Sequence, residues 1–326
     1  MKIISTKVWI ISICVITFLL KNLSAQEYPL VLDKQGTFTT LSRTDYVMPD
    51  YDFTNTEVTA NLQKLNDIIA VIRKNPVLAE LKGFDAQARI YTISIKDPLS
   101  YGVPVRISFE FSSWFKNKNG AVVNNKIEPP EWSIIINKLI PVFGNLTDSK
   151  HGYFTISADK KTVSPGIDVY DGERYVLYDP SKPDYWLPVT VEEAFQALKE
   201  YYLKDKESNA YLIELTEQEY NQIPAADRAK PAYSGGNLSG ISTSSDYEGQ
   251  SSLFPPIMKI NPAYWNKTQP KSSVQFMYFS MTDNKDYLKN QTQGALKQNS
   301  TSYHLYRFEE SLDINFAKSL LSLLGK

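Results

Sequence analysis

Val58, Leu62, Leu65, Ile69 and Ile72 recur at intervals of three and four residues, the spacing that lines one face of an α-helix. Thr54 or Asn55 stands where an N-cap belongs. Asn75-Pro76 closes the run, because proline disfavours helix at the residue before it. Upstream, Gln26 to Phe53 is polar and aromatic with little period and reads as an extended lead-in. Downstream, after a link through Lys82-Gly83-Phe84-Asp85, the period drops to two. Ile90, Thr92 and Ser94 alternate with Tyr91, Ile93 and Ile95, and Val105, Ile107, Phe109 and Phe111 share one face. These are strands, and the DPLSYG loop between them suits an antiparallel pair.

WSIIIN and YFTISA are two further strands, the first continuous enough to be buried on both faces. IDVYDGERYVLY predicts a hairpin, with Asp171-Gly172 supplying the positive φ of a tight turn. Thr190 followed three residues on by Glu193 is a capping box that opens a helix with Phe195, Leu198 and Tyr202 on its apolar face. TEQE, from Thr216 to Glu219, repeats the capping pattern. Residues 233–252 are rich in glycine and serine and read as a flexible loop. Strands at Val274 to Ser280 and Tyr303 to Phe308 and a short helix from Leu312 to Leu324 close the chain, with Gly325 as the C-terminal stop. Val274, Phe276 and Tyr278 are expected on one face of their strand, opposite Gln275, Met277 and Phe279. The order predicts an α+β fold, mainly antiparallel sheet with a few packed amphipathic helices. It is one elaborated domain or two subdomains with a boundary near 160–165.

The N-terminus changes the setting. Lys2 and Lys7, an apolar run from Val8 to Leu20, then Leu23-Ser24-Ala25 have the layout of a secretory signal peptide, with cleavage expected after Ala25. The apolar run is shorter than the ~20 residues of a membrane span, so no span is expected after cleavage. Cys14, the one cysteine, lies inside this run, so the mature chain is cysteine-free and thiol, disulfide and cysteine–metal chemistry go with it. Residues 26–326 keep 32 basic and 36 acidic residues with no basic block, which excludes nucleic acid as a partner.

Candidate chemistry is sparse. His151 and His304 are the only histidines, HExxH and GxSxG are absent, and neither zinc protease nor hydrolase triad can be assembled. His304 in a strand reads as a half-buried, hydrogen-bonded residue, and His151 as a solvated one in a turn. Glu193 is occupied by its cap. Asp168, Asp171 and Glu173 crowd one hairpin, where acids are usually solvated. No catalytic residue, metal ligand or cofactor is assigned. The ligand-binding candidates are the aromatic pairs beside prolines, Tyr185, Trp186, Tyr264 and Trp265, whose alternative role is core or corner packing.

NPVLAELKGFD at Asn75, YWLPVTVEEAF at Tyr185 and NPAYWNKTQPKSSVQF at Asn261 together resemble a group of uncharacterised secreted or periplasmic proteins of Bacteroidetes-type bacteria. The chain has Trp265 where that pattern has Phe and Asn266 where it has Asp. The resemblance implies a secreted or periplasmic bacterial protein and brings no activity or ligand. In the third motif Pro262 and Pro270 fix φ, and the pair Tyr264-Trp265 is expected over the sheet edge as a stiff corner leading into the next strand. Two functions stand. One is a non-catalytic binding or scaffolding protein of the bacterial envelope, with a glycan or an envelope protein as partner. The other is a carboxylate-based glycan hydrolase with the Gly/Ser-rich loop as its lid.

Overall fold

The computed structural model describes residues 29–43, 53–92, 101–139, 146–148, 151–234, 240–245, 254–281 and 302–325. The expected signal peptide lies outside the described residues, as do most of the DPLSYG loop and much of the Gly/Ser-rich stretch. The fold is α+β. Its main sheet runs β1 (Phe38–Arg43), β2 (Phe84–Thr92), β3 (Val105–Lys116), β5 (Glu131–Ile136), β15 (Phe276–Ser280), β10 (Arg174–Tyr178), β9 (Ile167–Tyr170) and β8 (Lys160–Ser164), with β4 (Val122–Asn124) paired to β3. Every pairing in it is antiparallel except β1 with β2. A smaller sheet runs β11 (Trp186–Pro188), β14 (Ile257–Ile260), β7 (Tyr153–Thr155) and β6 (Leu146–Asp148). β12 (Tyr233–Ser234) pairs with β13 (Ile241–Ser242) within the Gly/Ser-rich stretch. The polar link at 160–165 is largely strand β8, hydrogen-bonded to β9 at one edge of the main sheet.

Alternation explains how the main sheet is covered. Ala86, Ala88 and Ile90 of β2, Ile107, Phe109 and Phe111 of β3, and Trp132, Ile134 and Ile136 of β5 bury one face. Against it pack α1 (Asn55–Ile72), α2 (Pro76–Glu80), α6 (Tyr303–Glu310) and α7 (Ile314–Leu321). α1 starts at a Thr54 cap completed by Glu57, and its buried stripe is Val58, Asn61, Leu65, Ile68, Ile69 and Ile72. Asn75 does not simply end this helix; its side chain accepts from Val77 N and caps α2, with Pro76 at the first helical position. The outer side of β5 is only half-buried, so WSIIIN is a one-faced strand rather than one buried on both sides.

β15 is the strand that meets apolar surroundings on both faces. Met277 and Phe279 join the helix-side core, while Phe276 and Tyr278 face a second core with Tyr170, Val176, Tyr185, Trp186, Tyr264 and Trp265. Val274 belongs with the helix-side core, not with Phe276, because the regular strand begins only at Phe276. A third core lies under α3 (Val191–Tyr202), which pairs with α4 (Ala210–Gln222) as a helical arm; α5 (Ala225–Arg228) follows.

Three local expectations change. Tyr303 to Phe308 is helix α6, not a strand: His304 and Phe308 are its buried residues, four apart, and Leu312 is buried one turn further on. TEQE opens no helix. Thr216 lies inside α4 and its hydroxyl donates to Leu212 O at 2.7 Å, the back-bonding open to a mid-helix threonine. Asp168 is not solvated but fully buried. The Asp171-Gly172 turn has φ of 53° and 69°, as a tight hairpin of this kind requires. The Thr190–Glu193 capping box forms in both directions.

Candidate functional site

The second core gathers the four aromatic candidates. Tyr185 (2 % exposed), Trp186 (6 %), Tyr264 (1 %) and Trp265 (4 %) are all buried. Tyr264 packs edge-on against Tyr185, Trp265 and Phe276, with ring centroids 6.1, 5.4 and 6.0 Å away. The stretch from Asn261 positions them. Asn261 accepts from Ala263 N and caps a 3₁₀ turn over Pro262–Tyr264, and its amide donates to Asp184 O at 2.6 Å, tying this turn to the Asp184-Tyr185 segment that leads into β11. The pair therefore lies over β15 in the middle of the sheet rather than over its edge.

Gln275, 1 % exposed, locks the far end of the same stretch. Its backbone N–H donates to Asn137 Oδ1 (2.8 Å) and its carbonyl accepts from the Tyr264 hydroxyl (2.7 Å). Its side-chain oxygen accepts from Asn266 N (2.9 Å) and Lys182 Nζ (2.8 Å), and its side-chain amide donates to Asn266 O. Burial holds the Lys182 ammonium below its usual pKa, opposed by Asp179. A buried amide with every group satisfied fixes one packing of the chain around it.

Beside these rings lies the one buried carboxylate that the hairpin supplies. Asp168 on β9 accepts at Oδ1 from Thr162 (2.6 Å) and Tyr178 (3.3 Å), and at Oδ2 from Tyr185 (2.7 Å) and Lys160 Nζ (2.8 Å). Tyr170 continues the chain, 2.8 Å from the Tyr185 hydroxyl. Burial raises the Tyr170, Tyr178 and Tyr185 phenols above the ordinary range, and the Asp168 charge adds to it. They are therefore hydrogen-bond donors at ordinary pH, not bases. A carboxylate offers about four lone-pair sites, and four donors from β8, β10 and Tyr185, the residue before β11, occupy them.

The other acids and the histidines singled out in the sequence have partners or are enclosed. Glu193 takes Thr190 N at 3.0 Å and Lys259 Nζ at 2.5 Å; burial alone would raise its pKa, but these bonds hold it below the usual carboxylate range. Asp171 accepts from Ser157 and Arg174, and Glu173 lies 3.6 Å from Arg174. His151, expected to be solvated, meets Glu200 at 3.4 Å. His304 is fully buried and stacked on Phe84 at 4.4 Å. Burial pushes its pKa down to about 4, with Arg307 adding to the effect and the Gly83 backbone opposing it. It is a neutral core residue. Among the described residues no three histidine, cysteine or acidic side chains come together as a metal site. No described helix is long and apolar enough to cross a membrane.

Two acids meet elsewhere. On the outward face of β3 and β5, Glu110 stands directly opposite Glu131. Arg89 pairs with Glu110 at 2.6 Å and Arg106 pairs with Glu131. No sequence spacing announces this juxtaposition, which arises only from the strand register. Comparison with known proteins gives no further guide: no family model, no curated protein and no solved structure matches this chain.

Proposed function

We propose that this is a secreted bacterial envelope protein that binds or scaffolds without catalysing a reaction. The leader-like N-terminus and the three resembling motifs support the location. The observation that carries the non-catalytic reading is the saturated Asp168 carboxylate. The most enclosed acid among the aromatic candidates has four donors and no lone pair left to take a substrate proton. The four aromatic candidates are core, so a partner is recognised on another surface.

A hydrolase remains the second reading because Glu110 and Glu131 are opposed. Directly opposite residues of an antiparallel pair have Cα atoms ~4.5–5.5 Å apart, so both side chains start from neighbouring points on one face, and a retaining glycosidase needs two carboxylates about 5 Å apart. Against this, each carboxylate is already engaged by an arginine. Incubation of the purified chain with insoluble envelope polysaccharide separates the readings. Retention on the material without release of reducing ends is expected. Release that disappears in Glu110→Gln or Glu131→Gln would overturn the non-catalytic reading.

A further inference from the structure

We propose that the α3–α4 arm is a docking surface for a protein segment that carries lysine or arginine beside apolar side chains. The proposal rests on the binding reading and gives it a place and a partner class.

Charge is the first observation. Residues 191–222 hold eight acids against three lysines, a net −5, whereas the rest of residues 26–326 carries one more base than acid. The acidity of the secreted chain is thus concentrated on this arm, and Glu192, Glu214, Glu217 and Glu219 are exposed there. Such a field repels nucleic acid and anionic lipid and steers a basic partner inward.

Apolar exposure is the second. Of the eight large apolar side chains exposed among the described residues, four are on the arm: Tyr201, Leu203, Tyr211 and Leu212. α4 has thirteen residues and buries only Thr216. A helix of that length is marginal unless packing supports it, and here α3 supplies the support along one side. Exposed tyrosine and leucine with acids around them have the composition of an interface core with a polar rim.

Shape is the third. Between the helices runs a groove of about 220 Å³ with Phe195 and Tyr220 in its walls. The Lys199–Glu217 pair and the Phe195–Tyr220 contact (5.6 Å) set the two helices antiparallel. The C-terminus of α3 and the N-terminus of α4 therefore share one end, where the exposed Leu203 and Leu212 lie. The volume is below the ~300–1,000 Å³ of small-molecule pockets and suits a side chain or two inserted from a partner segment.

The test uses the chain from Gln26 onward and two fluorescent helical peptides, one patterned with leucine and lysine, its twin with leucine and glutamate. The lysine peptide should bind and protect residues 191–222 from hydrogen exchange, and the glutamate peptide should not bind. Leu203→Ser with Leu212→Ser leaves every charge in place and should weaken the lysine peptide at least tenfold. Glu192→Gln with Glu214→Gln and Glu219→Gln should do the same. All five residues are exposed, so the variants keep the fold. No binding, protection elsewhere, binding of the glutamate twin, or indifference to the leucine changes would each overturn the docking site. None of those outcomes would touch the non-catalytic reading, which fails only if polysaccharide is turned over.

Discussion

The Tyr185 hydroxyl donates to Asp168 Oδ2 at 2.7 Å, joining one of the aromatic candidates to a carboxylate with no exposure to solvent. Removing that donor leaves a buried charge short of a partner. Hydrogen bonds to charged groups contribute about 1.5–3 kcal/mol, and an orphaned buried acceptor costs a similar amount. Tyr185→Phe should therefore lower the unfolding free energy by about 2 kcal/mol in a urea titration. A change under ~0.5 kcal/mol would mean that water reaches Asp168 and that the network is not closed.

Asn137 adopts a left-handed conformation (φ 53°), is fully buried, and holds Val103 O, Ser273 O and Gln275 N with its side chain. It fixes how the β15 strand enters between β5 and β10. Asn137→Ala loses these bonds and adds left-handed strain, so a loss of about 3 kcal/mol or more is expected. Asn137→Gly should recover about 1 kcal/mol of it through the backbone alone. Equal stability of the two variants would remove the strain from this explanation.

His304 and Glu309 lie on one helix and respond to pH in opposite senses. The His304 pKa is about 4 in the fold against 6.5 for the free group. The unfolded chain takes up that proton first, so its contribution is complete above about pH 6.5 and is lost as pH falls through about 4. Burial raises Glu309 from 4.5 to about 7. There the fold prefers the protonated form, so stability is present below about 4.5 and lost as pH rises through about 7. Each shift corresponds to about 3 kcal/mol, and the two offset one another between pH 4.5 and 6.5. Relative to the parent, His304→Phe should become progressively less favourable as pH rises across that interval, and Glu309→Gln progressively more favourable. Parallel stability–pH curves for parent and variants would show that neither group titrates differently in the fold.

Local rules carried much of the architecture. Alternation at Val105, Ile107, Phe109 and Phe111, the Asp171-Gly172 turn and the Thr190–Glu193 cap are each decided by residues within a few positions of one another, and each stands in the structure. What sequence could not show is decided by distant partners. β15 slots between β5 and β10, about 140 and 100 residues upstream, and only this makes it two-faced and separates Val274 from Phe276. Asp168 reads as one of three turn acids until β8, β10 and Tyr185 close over it. His304 sits in YHLYRF, rich in residues that favour strands, yet packing of His304 and Phe308 at helical spacing against Phe84 and Phe111 prevails. The aromatic candidates were visible as types, but their burial was not, because tyrosine and tryptophan beside proline serve core and surface equally well. The acidic arm was in the composition throughout, but its exposed leucines and tyrosines emerge only once α3 and α4 are seen paired.

The central claim is that the Asn261–Phe276 stretch is a structural clamp whose rings belong to the core. The unfolding free energy of Trp265→Ala against the parent chain, by urea titration, tests it most directly. A loss of about 3 kcal/mol or more is predicted, as for other large-to-small core changes. A loss under ~0.5 kcal/mol would make Trp265 a surface ring without a stability role and would return the aromatic cluster to the list of binding surfaces.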